Sequence, residues 1–413
     1  MLFKEILNNF SNPGTSELND KYFFENKHRF ILKIVFVIVC AVLCIVNFYP
    51  NMVTSGDTIT YDRLATQLIQ TGFDYAVIVR EVSSQFIFYL VPMSIFAFAK
   101  MFFHNNWKTF VLIINLMSIC AAVAMYVKIA DTCRVNCIST CLLLISFVLF
   151  PDFLYWPHYI LTDTMYLFLV SCCVLFALQL CVYKFKVRIF LYFFVLTCLL
   201  TFFRPASPPV VVCLIVFILI FNNKSILLKK NPVFFISALC VGIVLVFSYI
   251  VDKNIHGYYQ WPELNMMSKF ISEGVVIHDR PETFVKFNNG FFSVLYVFIC
   301  RFVYFFSPSA ESFSTLHKVI NLLSFLIAGI LILVGETMMF MREIVIDCQK
   351  YIGRSLMLGL IICVATYHSI TLIDFDWRYR YPIIPVIFCL AMFHFEIINS
   401  YIKAKKNINI NRI

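Results

Sequence analysis

FILKIVFVIVCAVLCIVNFY, residues 30–49, is the first long apolar run of the chain, and the polar stretch Ser55-Gly56-Asp57-Thr58 follows it closely. Twenty predominantly apolar residues are enough to cross the hydrocarbon core of a bilayer as a helix. Asp57 therefore lies just where the chain leaves the membrane. An ionisable residue at such a position is costly and is a functional candidate. We expect the rest of the chain to bring other polar groups to the side of the membrane on which Asp57 lies.

The composition identifies the class of protein. Of the 413 residues, 61% are hydrophobic, 17% aromatic and only 14% charged, and the mean hydropathy is +0.85. Soluble domains are closer to half apolar and a quarter charged. The apolar runs have helical length and do not show the short alternating pattern of a membrane β-barrel. The sequence thus predicts an all-α, polytopic membrane protein.

Two further features of the composition have ordinary explanations. The net charge of +10 comes mainly from lysines and arginines in short loops between apolar runs, where such residues set topology, so nucleic acid is not an expected partner. The 16 cysteines lie mostly within apolar runs and include no C-x-x-C pair. We interpret them as small buried hydrophobic residues.

The distribution of positive charge predicts the topology. Lys27, His28 and Arg29 directly precede the first run, which places the N-terminus in the cytoplasm and Asp57 outside. We expect the following basic segments to be cytoplasmic as well: 128–134, 184–188, 224–230, 342–354 and 403–406. The chain then divides into a cytoplasmic lead (1–29), a transmembrane domain (30–401) and a basic cytoplasmic tail (402–413).

Alternation of the remaining runs against these loops predicts about ten spans (10–12 at most), with both termini inside. The predicted spans are 30–49, 109–127, 137–151, 164–183, 189–203, 209–222, 232–251, 318–340, 355–372 and 382–401. The runs 86–103 and 291–306 remain. We interpret them as interfacial or membrane-dipping helices on the outer face, because a single additional crossing would move every later basic loop outside. The alternative is that both cross.

The predicted outer face collects four loops, 50–107, 152–163, 252–317 and 373–381. No internal repeat and no large soluble domain is evident in the sequence. In the first loop, apolar residues at helical spacing predict an amphipathic helix over 57–71, with its apolar face made by Leu64, Ala65, Leu68 and Ile69. Asp57 would then be the N-cap of this helix. The alternative to a functional role is that Asp57 only caps the helix.

Two more acids belong to the same predicted side. Glu81 follows Arg80 near the end of the first loop, where an exposed ion pair is the simpler explanation. Asp163 ends the second loop, and either Thr162 or Asp163 could cap the span that begins there. The shared location with Asp57 is what makes both acids functional candidates.

Arginines complete the set. Arg204-Pro205 ends the span 189–203, at the level where an arginine either holds a lipid phosphate by paired hydrogen bonds or extends to the interface. The most specific motif precedes the last span and runs Asp374-Phe-Asp376-Trp-Arg378-Tyr379-Arg380-Tyr381-Pro382. Arginines interleaved with tyrosines suit an anionic lipid head group that carries a sugar.

With these motifs in place, the chain resembles the GT-C superfamily of polytopic glycosyltransferases. It is most similar to bacterial transferases that resemble protein O-mannosyltransferases and to the lipid A aminoarabinose transferase. The resemblance rests on Asp57 with Tyr61, Ala65 and Leu68, on Asp163, on Arg204-Pro205, and on Asp376-Trp-Arg378-Tyr379 with Pro382 and Pro385. The chain departs from both relatives: Thr58 replaces the second acid of the mannosyltransferases, and Val82-Ser83-Ser84 follow Glu81 where the aminoarabinose enzymes have Lys-Pro-Pro.

The resemblance implies a GT-C-like bundle with interfacial helices in the first outer loop, located in the bacterial inner membrane with its active site facing outward. It implies transfer of a sugar from a polyprenyl-phosphate carrier to a glycolipid, a glycan or a protein. Asp57 would be the base, and Glu81 and Asp163 the orienting or metal-binding acids. Tyr61, Arg204, Arg378, Tyr379 and Arg380 would bind the donor. A divalent cation (Mg²⁺ or Mn²⁺) is compatible with the acids but is not required, because arginines can supply the positive charge.

Two other functions remain open at this point. An O-antigen-type polymerase or ligase also acts on polyprenyl-linked sugars outside the membrane, and only substrate assays separate it from a transferase. A non-enzymatic lipid flippase or transporter would show charges in the middle of spans and inverted repeats. In this chain the charges cluster beside the spans, which favours the enzyme.

Overall fold

The computed structural model describes residues 26–48, 52–81, 84–183, 186–222, 231–258, 262–278, 280–308, 313–341, 347–371 and 379–410. Regular structure in these ranges is helical, apart from an isolated parallel bridge between Val53 and Tyr159. The prediction of an all-α protein is therefore confirmed for this part of the chain. The basic segment 224–230 lies outside the described residues.

We number the α-helices in chain order. They are α1 (Asn26–Phe48), α2 (Gly56–Gln70), α3 (Tyr75–Glu81), α4 (Leu90–Phe103), α5 (Trp107–Thr132), α6 (Cys137–Leu149), α7 (Pro151–Tyr155), α8 (Asp163–Val182), α9 (Val187–Thr201), α10 (Ser207–Asn222), α11 (Pro232–Ile255), α12 (Pro262–Ser272), α13 (Phe291–Tyr304), α14 (Thr315–Phe340), α15 (Cys348–Ile370) and α16 (Ile384–Ile410).

In the described residues, seven helical stretches are long and apolar enough to cross a membrane, or eight if the bent pair α6–α7 forms one span. They lie in α1, α8, α11, α14, α15, α16 and the continuous stretch Phe86–Thr132. A polytopic helical membrane protein is thus confirmed. Three shorter apolar helices, α9, α10 and α13, have 14 to 16 residues. At 1.5 Å per residue they span only about 21–24 Å of a ~30 Å core, so the expected count of about ten stays a prediction.

The run 86–103 and the predicted span 109–127 belong to one helical stretch of 47 residues, Phe86–Thr132. At 1.5 Å per residue it would be about 70 Å long if straight, far more than a single crossing needs. The stretch is interrupted at His104, whose φ is +43°. The N-terminal part, α4, packs against both α2 and α5. It therefore lies beside the helix that carries Asp57, and whether it crosses the membrane stays a prediction.

The core of the bundle is built on α5 and α8, with α15 and α16 packed around them. These helices are apolar on most sides, and most of their length is buried by their neighbours. Helices α1, α11 and α14 are also apolar, but most of their surface is exposed in the monomer. A helix that is apolar all round is either buried or faces lipid. We assign the exposed apolar faces of these three helices to lipid contact.

Each end of the bundle has its own polar contacts between helices. We call the end at which α1 finishes and α8 begins the Asp57 end. There the side chain of Asn47, at the end of α1, donates to the carbonyl of Phe153 at 3.5 Å. At the opposite end, Glu336 of α14 accepts from Arg354 of α15 and from His394 Nε2 of α16, the latter at 2.8 Å. This network joins three helices, and a second ion pair, Lys350–Glu396, also links α15 to α16.

Close packing at that network generates a test of the helix arrangement. A Cβ atom at Gly335 would lie 2.7 Å from Cγ of the buried His394, whereas one at Gly329 of the same helix would meet nothing within 4 Å. Gly335→Ala should therefore destabilise the protein by about 1–3 kcal/mol through overpacking. Gly329→Ala should leave stability unchanged or raise it, because alanine is the better helix former. Thermal unfolding of both variants in detergent measures the difference, and equal melting temperatures would contradict this packing.

Candidate functional site

The helix that carries Asp57 begins with a capping box. Ser55 is extended (φ −113°, ψ 176°), its hydroxyl accepts from the Thr58 backbone, and its own N–H donates to Thr58 Oγ1 at 3.0 Å. The prediction that Asp57 is the N-cap is therefore wrong, because Ser55 satisfies the orphan backbone donors two residues earlier. Asp57 lies in the first turn, where a negative charge is favoured by the helix dipole.

The two aspartates of this helix have different surroundings. Asp57 is half-buried. Asp62 turns toward α4, where its carboxylate lies 2.6 Å from Lys100 Nζ. The predicted apolar face is confirmed, with Leu64, Ala65 and Leu68 fully buried and Ile69 partly buried. Burial of this face fixes the orientation of the whole helix.

The first and second predicted outer loops are joined directly. The backbone of Val53 accepts from Ile160 N at 3.0 Å and donates to the His158 carbonyl at 3.3 Å. Thr58, one residue after Asp57, donates its hydroxyl to the Ile160 carbonyl at 2.9 Å. Asn115 of α5 supports the same loop through the Tyr159 carbonyl at 2.9 Å. These bonds place Asp57 next to the start of α8.

The strongest polar contact at the Asp57 end is a buried ion pair. Asp163 accepts two hydrogen bonds from Arg204, from Nη1 and from Nη2, both at 2.7 Å, and the two side chains are 1% and 4% exposed. Arg204 also donates to Thr162 Oγ1 at 2.9 Å and lies 5.7 Å from the Tyr166 ring centre. A paired, bidentate geometry is what makes buried charges tolerable. The arginine expected to hold a phosphate and the acid expected to orient substrate or metal thus bind each other.

Tyr61 connects this ion pair to Asp57. Burial raises the pKa of the Tyr61 hydroxyl, and the nearby Arg204 guanidinium and a hydrogen bond with Thr162 partly oppose that shift. The carboxylates of Asp163 and Asp57 act in the same direction as burial. Tyr61 is therefore a neutral hydroxyl at physiological pH that stands between the half-buried acid and the ion pair.

Tyr89 also belongs to the cluster, and sequence reasoning missed it. Its ring centre is 6.0 Å from that of Tyr61, and its hydroxyl is close enough to Asp57, Arg204 and Tyr379 to interact electrostatically. The sequence signal was weak, because Tyr89 is one aromatic among many at the start of an apolar run. Its place follows from the packing of α4 against α2.

Of the motif that precedes the last span, Tyr379 approaches the cluster, whereas Arg380 packs elsewhere. Tyr379 approaches the cluster through Tyr89, and its ring centre is 5.6 Å from that of His368. Arg380 is buried, donates to the Ser307 carbonyl, and has its guanidinium carbon 5.0 Å from the Phe325 ring centre. In the structure, Arg380 links the last helix to α14 and to the segment after α13.

Some of the predicted site residues cannot be placed because they lie outside the described part of the chain. Arg378, with both acids of its motif, lies outside the described residues, and so does the side chain of Glu81, whose backbone ends α3. Within the described ranges, no three His, Cys, Asp or Glu side chains converge so that they could hold a metal ion. Five candidates, Asp57, Tyr61, Asp163, Arg204 and Tyr379, do come together at one end of the bundle. The half-buried Asp57 carboxylate therefore lies near several tyrosine side chains. These tyrosines lie near the buried Asp163–Arg204 ion pair, whose two charges neutralise each other.

The buried pair makes a stability prediction. Asp163→Asn leaves Arg204 charged and buried, and breaking such a pair costs about 3–5 kcal/mol. Asp347→Asn removes the partner of Arg134 in an ion pair with side chains 37% and 40% exposed, and a surface pair is worth only about 0–1 kcal/mol. Thermal unfolding should show a large loss for Asp163→Asn and almost none for Asp347→Asn. Similar small losses of stability in both variants would mean that the Asp163–Arg204 pair does not stabilise the fold.

Known proteins provide no independent assignment. No family model, no curated protein and no solved structure gives a significant match to this chain. Membership of the GT-C superfamily therefore stays a prediction that rests on the motifs. The convergence of those motifs at the Asp57 end is a separate, geometric observation on which a function can be proposed.

Proposed function

We propose that this chain is an integral membrane glycosyltransferase that moves a sugar from a polyprenyl-phosphate carrier to an acceptor on the outer face of the membrane. The observation that carries the proposal is the meeting of Asp57, Tyr61, Asp163, Arg204 and Tyr379, which come from four segments far apart in the sequence. A set of lipid-anchoring or topology-setting residues would have no reason to converge.

Asp57 is the proposed base. It is the half-buried acid of the cluster, whereas Asp163 is buried against Arg204 and Asp62 is paired with Lys100. In the transfer, Asp57 accepts the proton of the acceptor hydroxyl, the acceptor oxygen forms a bond to the anomeric carbon, and the bond from that carbon to the carrier phosphate breaks. The polyprenyl phosphate leaves with the electron pair. General-base assistance of this kind is worth about 10²–10⁴ in rate.

The ion pair has a positioning role in this proposal. All three nitrogen positions of the Arg204 guanidinium donate to Asp163 or Thr162, so the residue supports Tyr61 and the start of α8. Arg378 then becomes the first choice among the predicted arginines for holding the carrier phosphate. A fork of two parallel N–H groups suits a phosphate, and the neighbouring Tyr379 would face the sugar.

The distribution of charge supports an outward-facing site. The side chains of Lys350 and Arg354 lie at the opposite end of the bundle, near the beginning of α15, and Lys128 and Arg134 lie near the end of α5. Positive residues in short loops mark the cytoplasmic side. The Asp57 end would then face the periplasmic side of a bacterial inner membrane. The charged groups Glu336 and Arg354 also lie near helix ends, which favours an enzyme over a transporter with charges at the midplane.

Topology can be measured directly. Fusions of alkaline phosphatase and green fluorescent protein after Gly257, at the Asp57 end of α11, should give high phosphatase activity and no fluorescence. Fusions after Asn222, at the opposite end of α10, should give the reverse result. The physical reason is that each reporter works on only one side of the membrane. Fluorescence after Gly257 would place the site in the cytoplasm and contradict the proposal.

Activity tests the base assignment. Asp57→Asn keeps the size of the side chain, and Ser55 still caps the helix, so folding should be unaffected. Transfer from polyprenyl-phosphate mannose or undecaprenyl-phosphate aminoarabinose, measured with purified protein in nanodiscs, should fall by about 10²-fold or more.

Asp62→Asn is the matched control on the same helix and should change the rate only slightly, because the Asp62 side chain is 43% exposed and pairs with Lys100. Equal turnover of the Asp57→Asn variant and the parent protein would show that Asp57 is not the base. Absence of transfer by the parent from both donors would reject these donor classes.

A further inference from the structure

A histidine and an aspartate that the proposed function does not use meet at the Asp57 end. Asp152 lies in the first turn of α7, and His317 lies in the first turn of α14, 165 residues later. His317 Nε2 is 3.2 Å from Asp152 Oδ1. The carboxylate side chain is only 1% exposed, whereas the imidazole is 15% exposed. The pair therefore has a buried acid and a histidine that reaches the surface of the protein.

The imidazole is held in place on several sides. The Phe313 ring stacks on it with centroids 3.7 Å apart and planes within 8°. The backbone N–H of His317 donates to the Ser314 hydroxyl at 3.2 Å, which caps α14. These contacts fix the direction of both ring nitrogens.

The carboxylate decides which nitrogen carries the proton. A carboxylate accepts hydrogen bonds, so Nε2 of the neutral imidazole bears the hydrogen that points to Asp152. Nδ1 is then the nitrogen with the lone pair. No group in the described part of the chain hydrogen-bonds to Nδ1. A buried carboxylate behind a histidine is the arrangement that orients an imidazole and stabilises the cation formed when it accepts a proton.

A second observation connects the pair with the cluster around Asp163. The hydroxyl of the buried Tyr381 is close enough to both Asp152 and Asp163 to interact electrostatically. Asp152 Oδ2 is buried and has no hydrogen-bond partner among the described residues. Buried polar atoms are normally satisfied by protein, water or ligand. This polar region therefore extends from Asp163 to the histidine.

We propose that Asp152 and His317 form a second acid–base site at the Asp57 end, which binds and deprotonates a hydroxyl or amine group of a ligand. The ligand O–H or N–H bond breaks, the proton goes to Nδ1 of His317, and Asp152 stabilises the resulting imidazolium. The ligand is neutral or cationic at this group, because the Asp152 carboxylate beside His317 disfavours an anion. The site stands independently of the proposed glycosyl transfer, in which Asp57 is the base.

Chemical modification of histidine tests the site without a known substrate. Diethyl pyrocarbonate reacts with the lone pair of a neutral imidazole, and at pH 8 ordinary imidazoles are neutral. In nanodiscs, peptide mass spectrometry should show that His317 is modified rapidly. Asp152→Asn should slow that reaction severalfold, because Nδ1 attacks the reagent through a cationic N-acyl imidazolium, which an amide stabilises less than a carboxylate does before Nε2 loses its proton. His317→Gln identifies the signal.

His256 is the matched control. It directly follows α11, and its side chain is 40% exposed. Its Nδ1 lies 2.8 Å from the backbone carbonyl oxygen of Asp252 in the last turn of that helix. Its modification rate should be the same in the parent protein and in the Asp152→Asn variant. His394 is fully buried and should stay unmodified as long as the variant is folded. An unreactive His317 beside a reactive His256, or an unchanged His317 rate in folded Asp152→Asn, would overturn the proposal.

If Asp152→Asn does not fold, the parent protein still decides. Magnetic resonance of histidine labelled with ¹⁵N should show His317 with hydrogen on Nε2 and none on Nδ1 at pH 8. Hydrogen on Nδ1 would overturn the proposal. Neither measurement involves sugar transfer, so a failure of the proposed function and a failure of this site give different results.

Discussion

The buried ion pair between Asp163 and Arg204 is the interaction on which the Asp57 end depends. Two charges removed from water are stable only when they meet in good geometry and their remaining donors are satisfied. Here the bidentate contact and the Thr162 hydroxyl provide both conditions. The pair fixes the first turn of α8 against the segment after α9. Through Thr162 and Tyr61 it also fixes the position of the amphipathic helix α2 and hence of Asp57.

The two ends of the bundle use charge in different ways. At the opposite end, Glu336, Arg354 and His394 satisfy each other and join three helices. At the Asp57 end, Asp57 is half-buried and no described group hydrogen-bonds to Nδ1 of His317. Acids and bases that pair with one another stabilise the fold, whereas a nitrogen that keeps its lone pair can accept a proton from a ligand. This contrast is the physical basis for assigning the chemistry to the Asp57 end.

Sequence patterns were informative where the signal was periodic or local. The apolar face of α2 followed from its spacing, because the period of a helix puts Leu64, Ala65 and Leu68 on one side. The cap of the same helix was misassigned, since Ser55 and Asp57 are both good N-cap residues and only backbone geometry distinguishes them. Arg380 was expected at a phosphate, yet it is buried against Phe325, because helix packing determines where a long side chain is directed.

The sequence by itself determined that the protein is a helical, polytopic membrane protein and that its acids and arginines lie beside the apolar runs, since hydrophobic length and charge position are local properties. Only the tertiary structure decided which polar groups meet. Asp163 and Arg204 are separated by two helices, and Asp152 and His317 by 165 residues. Their pairing therefore depends on which helices are neighbours in the folded bundle. Desolvation then selects among possible partners, because a buried charge needs an opposite charge or well-placed hydrogen bonds wherever the fold provides them.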